Sequence, residues 1–152
     1  MYERIKNVSV IAENPFMITC SQLTKEDAVY PDIVQYLEVV KSKYGYKDIL
    51  ISNIKGLITV ATAEEGVGND ISHMEFFKRA GEGHTFVSGI IPSEVPLTNE
   101  FGEKEPDMPT MHVSTPLRDR NGVVVGIVAV RVDVKALNDL MLSLKLGKTD
   151  IW

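Results

Sequence analysis

Pro109 to Val134 reads PTMHVSTPLRDRNGVVVGIVAVRVDV, and this stretch decides the fold. Two apolar, β-branched runs flank Asn121-Gly122. Asn-Gly readily adopts the two positive φ angles of a tight turn, so a β-hairpin is predicted here. The second strand, Val123 to Val132, is apolar on both faces. That pattern predicts a strand in the middle of a sheet, with material packed on each side. Arg131 breaks the pattern near the strand's end, where a guanidinium must find an anion or reach water.

The hairpin also assigns faces. With Asn121-Gly122 as a two-residue turn, Ser114 faces Ala129 and His112 faces Arg131, and opposed residues point to the same side of a sheet. A four-residue turn slides the pairing but keeps the parity. One face therefore collects Arg131, His112, Ser114 and the small Ala129. Arginine grips carboxylates through two parallel hydrogen bonds, and Ser114 and His112 are placed to complete such a site. His112 is expected to matter more below about pH 6.5, where an ordinary imidazole gains charge. Phe76, Phe77 and Phe86 are candidate pocket walls, since ligand sites are mostly apolar with a few placed polar groups. Plain core packing is the other reading of all three. For Arg131 the alternatives are a solvated strand end or an internal ion pair, with Asp70, Glu75 or an acid of the long loop as partner.

Working outward, Tyr2 to Leu23 reads as a long N-terminal helix with a break near Pro15; Ile5, Val8, Ile11 and Ala12 form its apolar stripe. Thr24 and Asp27 resemble a capping signal. Pro31 opens a second helix that Gly45 stops. Asp48 to Asn53 and Leu57 to Ala61 read as strands joined through Lys55-Gly56. Ala63 to Asp70 is a loop, and Ser72 is the expected cap of a short helix, His73 to Ala80. Thr85 to Ile90 is a third strand. Pro92 to Pro109 carries four prolines and reads as a long irregular loop of the kind that forms lids. After the hairpin, Asp133 caps a last helix, Val134 to Leu146. Tight turns between strands make the sheet antiparallel, and the helices segregate, so the fold class is α+β in one domain, residues 1–152.

Bulk properties exclude several functions. The chain has 152 residues, 44% apolar and 24% charged, with a net charge of −5. No basic stripe is present, which argues against nucleic acid. Cys20 is the single cysteine, so no internal disulfide forms. No run approaches the roughly 18 apolar residues of a membrane helix, and no signal peptide is recognisable. His73, His84 and His112 lack metal-ligand spacing, and no phosphate loop, nucleophile elbow or carboxylate pair appears. Neither metal nor cofactor is expected, and an enzyme is the least favoured class.

Several blocks resemble the Cache domain, the PAS-like extracytoplasmic sensor module of histidine kinases and methyl-accepting chemotaxis receptors. Ser52 to Ile58 sits where that family has a D-x-x-G turn before an apolar strand. Gly68-Asn69-Asp70-Ile71-Ser72-His73-Met74-Glu75-Phe76-Phe77 resembles its G-x-D-h-S-x-R-x-Y-F helix start. Gly83 to Ser88 resembles its G-x-x-Y-x-S strand. Ser114-Thr115-Pro116-Leu117, Asp119, Asn121-Gly122 and Gly126 to Val130 resemble its last hairpin. The resemblance implies a PAS-like antiparallel sheet of about five strands with a long N-terminal and a C-terminal helix. It implies a two-component or chemotaxis sensor outside the membrane, anchored by flanking segments, with a homodimer through the N-terminal helix. Departures carry information too. Met74 replaces the family's arginine and fills space, Asn53 replaces an acid, and Arg131 stands where amino-acid binders carry aspartate. A cation there is more like the sensors of small carboxylates. The tail at Leu146 to Thr149 resembles the opening of a second module, so the chain is a single module or one of a tandem. The competing function is a PAS-like dimerisation or signal-relay domain without a ligand.

Overall fold

The computed structural model describes residues 8, 10–92, 96–98, 101–107 and 109–133. Residues 10–13 are helical, and α1 (Phe16–Cys20) follows the break at Asn14-Pro15. Asn14 Oδ1 accepts the Phe16 N–H at 3.0 Å and restarts the helix. Asp27 Oδ2 accepts the Thr24 N–H at 2.8 Å, but this stabilises a turn, and α2 (Tyr30–Tyr44) starts only afterwards, with Pro31 in its first turn and Gly45 at its end. Strands β1 (Asp48–Asn53) and β2 (Ile58–Ala61) form a hairpin. A single 3-10 turn (Glu64–Gly66) and a loop lead to α3 (Glu75–Gly81). Short strands β3 (Phe86–Val87), β4 (Ile91–Pro92), β5 (Leu97–Thr98) and β6 (Lys104–Glu105) precede the long pair β7 (Pro109–Arg118) and β8 (Val124–Asp133).

The main sheet runs β2-β1-β8-β7-β3, with β4 also on β7, and every pairing is antiparallel. The segment read as apolar on both faces is its central strand. Val128, Val130 and Val132 pack with Ile49, Ile51 and Val60 under the helical layer of Val8, Ile11, Met17, Ile33 and Leu37. Ile127 and Ala129 face the other way with Leu50, Ile58 and Ala61, covered by Ile71, Phe76 and Ala80. Each such fully buried aliphatic or aromatic side chain contributes roughly 1.5–3 kcal/mol, so β8 carries core on both sides.

The turn differs from the reading of Asn121-Gly122 as a two-residue loop. The Gly122 N–H donates to the Asp119 carbonyl at 3.0 Å and the Asp119 N–H to Val123 at 2.9 Å. Only Gly122 has positive φ, at 79°. This is a three-residue loop, and it alone would shift the register by one and invert the faces. A bulge restores it, because Arg118 pairs with Val124 and Leu117 with Gly126, leaving Val125 unopposed. Ser114 then pairs with Ala129 and His112 with Arg131. Gly126 is required at the bulge, since a Cβ there would strike the Ser52 carbonyl oxygen and come within 3.1 Å of the Ser21 Cβ.

Other expectations change. Ser72 does not cap α3; its N–H is held by Asp70 Oδ1 at 2.8 Å, and the helix follows Met74 without a side-chain cap. Thr85 to Ile90 is not continuous, because only Phe86 and Val87 pair with β7 before the chain leaves and returns as β4. Pro92 to Pro109 is not wholly irregular, for β5 and β6 form a small hairpin within it. Among the described residues the sheet has a sixth strand, β4. The last helix expected over 134–146 lies outside the described residues.

Candidate functional site

Arg131 is 2% exposed and sits near the end of the central strand. Its Nε donates to Asp48 Oδ2 at 3.1 Å. Asp48 is the directly opposed residue on β1, and its Oδ1 accepts the Thr62 hydroxyl at 2.6 Å and the Ala63 N–H at 2.9 Å. One carboxylate therefore ties β8, β1 and the exit of β2 together. Sequence reading named three other candidate partners and missed Asp48. Its signal was an acid opening an otherwise apolar strand, and only the β1–β8 register reveals the pairing.

The remaining predicted residues form a packed layer beside this pair. His112 is completely buried, its ring stacked on Phe76 at 4.1 Å and 11°. Neither His112 Nδ1 nor Nε2 has a hydrogen-bond partner among the described residues. Burial, and secondarily the Arg131 charge, push its pKa down to about 3. An ordinary imidazole gains charge below about pH 6.5, but burial here disfavours the charged form, which loses its hydration. The Ser114 hydroxyl donates to the Phe76 carbonyl at 2.9 Å and fastens α3 to the sheet. Ala129 is buried against Phe76, with Phe77, Phe86 and Met74 half-buried around the same cluster.

A cavity of about 330 Å³ opens next to this layer, lined by Ile58, Asn69, Asp70, Ile71, His73, Met74 and Arg131. Arg131 and Met74 are the predicted residues it contains; His112, Ser114, Ala129 and the three phenylalanines lie outside its wall. Hydrogen bonds from Ser72 hold the exposed Asp70 carboxyl below its usual range. A larger open cleft of about 570 Å³ lies at the hairpin-turn end and includes Arg118 and Arg120. Arg118 there is exposed and donates to the Gly83 and Gly122 carbonyls, so the buried guanidinium marks the smaller cavity as the better site. The β5–β6 ribbon packs near the exit of β2, with Leu97 against Ala63 and Lys104 Nζ 3.2 Å from Glu65. None of its described residues lines the cavity. Among the described residues no group of three His, Cys, Asp or Glu is placed to hold a metal ion, and no helix is long and apolar enough to cross a membrane.

No family profile and no curated protein matches the chain in sequence. Solved structures do match in shape. The sensor domain of Escherichia coli DcuS superposes with a TM-score of 0.68 at 16% identity, over 88% of each chain. The fold is that of the Cache/PAS-like sensor domains. The sensor domain of the Vibrio cholerae histidine kinase DctB gives a TM-score of 0.55 at 13% identity, covering 90% of this chain and 55% of that one. The ligand-binding domain of the Pseudomonas aeruginosa amino acid chemoreceptor PctC, in complex with GABA, gives 0.58 at 18%, covering 90% and 56%. The chain thus spans nearly all of the DcuS domain and about half of the other two.

Proposed function

We propose that this chain is the extracytoplasmic sensor domain of a membrane signalling protein, a histidine kinase or chemoreceptor, and that it binds a small organic anion bearing a carboxylate. The observation that carries the reading is a buried guanidinium on the wall of a cavity, in a fold shared with ligand-binding sensor domains. A buried ion pair is a poor stabiliser, since apolar residues of similar volume often serve the fold as well or better. A buried ion pair whose Arg131 lines a cavity is better explained by a ligand than by stability. His112, Ser114, Ala129, Phe76, Phe77 and Phe86 form the layer behind the ligand, and Met74 its lip. The module itself carries no catalysis in this reading; output resides in parts joined to it.

A second reading has one observation in its favour: Asp48 already offsets the Arg131 charge, as in a relay domain that binds nothing. Exposed Val10, Phe16, Tyr36 and Val39 on the helical layer suit a homodimer in either case. Thermal-shift and calorimetric titration with acetate, lactate, pyruvate and succinate between pH 5 and 8 separates the two. Binding that weakens about tenfold to a hundredfold in Asp48→Asn/Arg131→Met, a variant that removes both charges together, supports the sensor; a bidentate charged contact is worth roughly 1.5–3 kcal/mol. No binding by any of the four supports the relay.

A further inference from the structure

His112 is the polar group in this core that the fold itself does not explain. Its side chain is 0% exposed, and neither ring nitrogen has a partner among the described residues. Buried polar atoms are nearly always hydrogen-bonded, so the two ring nitrogens call for a partner beyond the described protein atoms. The backbone around it is fixed. The His112 N–H donates to Ser88 Oγ at 2.8 Å, and the Ser88 N–H donates to the His112 carbonyl at 2.9 Å. Phe76 covers one face of the ring. Arg131, which lines the cavity, is the residue directly opposite. His112 therefore stands one side chain back from the cavity wall.

We propose, on the basis of the carboxylate-site reading above, that the anion binds together with one proton, taken up by His112 behind the Arg131 wall. Charge balance is the reason. Arg131 is already compensated by Asp48 at 3.1 Å, and Asp70, on the segment leading into α3, adds negative charge at the same cavity. A bare anion would add an uncompensated charge beside the buried Arg131–Asp48 pair, at a cost. An anion with a proton adds no net charge. The groups facing the ring are few. Arg131 comes from β8 with Asp48 of β1 behind it. Asp70 and His73 flank the cavity, and Glu75 on α3 is exposed beside Arg79 at 3.7 Å. Burial and Arg131 keep the ring neutral. An entering carboxylate offsets the Arg131 repulsion and places a negative charge one side chain from the ring, and both changes favour the imidazolium.

Calorimetric titration with lactate, pyruvate and succinate at pH 5.5, in buffers of different ionisation enthalpy, reads proton uptake directly. Uptake approaching one proton is expected, with affinity rising about tenfold from pH 7.5 to 5.5 if the bound ring regains an ordinary pKa near 6.5. His112→Gln should abolish the uptake that is not due to the ligand's own titration. Labelled ring nitrogens in the wild-type protein report the same event without a variant, moving to imidazolium shifts only when the probe is bound. A binding heat independent of buffer, or uptake that persists unchanged in His112→Gln, overturns the proposal and leaves the carboxylate site standing. Absence of binding by all three probes from pH 5 to 8 overturns both.

Discussion

Replacing Arg131 by methionine leaves Asp48 buried without its cationic partner. Asp48 is 1% exposed, and its Oδ1 stays bonded to Thr62 and Ala63 while Oδ2 loses the guanidinium. Methionine roughly fills the space, so the cavity cost is small and the charge effect is isolated. Breaking a buried pair from one side costs about 3–5 kcal/mol. For a chain of this size that lowers the melting temperature by roughly 6–20 °C. Asp48→Asn/Arg131→Met should recover most of the loss, because the amide oxygen can still accept from Thr62 and Ala63 and no charge remains. Urea unfolding of wild type, both single variants and the double variant gives the coupling directly. A loss below about 1 kcal/mol in Arg131→Met, the range of exposed pairs, would refute the reasoning that this pair is dry.

Gly126→Ala should destabilise by about 1–3 kcal/mol through overpacking against the Ser52 carbonyl and Ser21, measured by urea unfolding. Ser114→Ala removes the tie to the Phe76 carbonyl and should cost about 1–3 kcal/mol, with amide exchange accelerating in α3 before the rest of the sheet. In the empty protein the His112 ring should show no titration between pH 8 and 5 by NMR, since its pKa lies at about 3. The unfolded chain, with an ordinary value near 6.5, binds the proton that the native state refuses. Stability from this residue is therefore complete above about pH 6.5 and falls as pH drops towards 3, by at most about 1.4 kcal/mol per unit.

The central strand was legible because β8 has no polar face: a run of β-branched residues interrupted only by Arg131 leaves no alternative to a covered position. The facing of His112 and Arg131 was also legible, though by offsetting departures. A three-residue loop and a bulge at Val125 each shift the register by one, and together they restore the pairing that a two-residue turn would give. The turn chemistry was available in a form not used. Asn53 Oδ1 accepts the Lys55 and Leu57 N–H groups, Asp119 Oδ1 accepts those of Asn121 and Val123, and a positive-φ glycine stands three residues on in both. Asn53 thus performs the turn function that the Cache pattern it resembles gives to an acid. Asp48 was beyond reach, because which strand lies beside β8 is a tertiary choice that hairpin logic does not address. The low pKa of His112 was hidden for the same reason: it depends on Phe76 closing over the ring, and the helix that brings Phe76 is held by a contact from Ser114, 38 residues away.

The most direct test of the account uses Met74, which lines the cavity from the segment before α3 and is only half-buried. Met74→Trp should fill the space beside Arg131 without disturbing the Asp48 pair. Calorimetric titration of the wild type and of folded Met74→Trp with lactate, pyruvate and succinate at pH 5.5 is the measurement. Saturable binding of at least one of them by the wild type is expected, with a loss of tenfold or more in Met74→Trp. Equal affinity in the two proteins would place the ligand elsewhere and contradict the account.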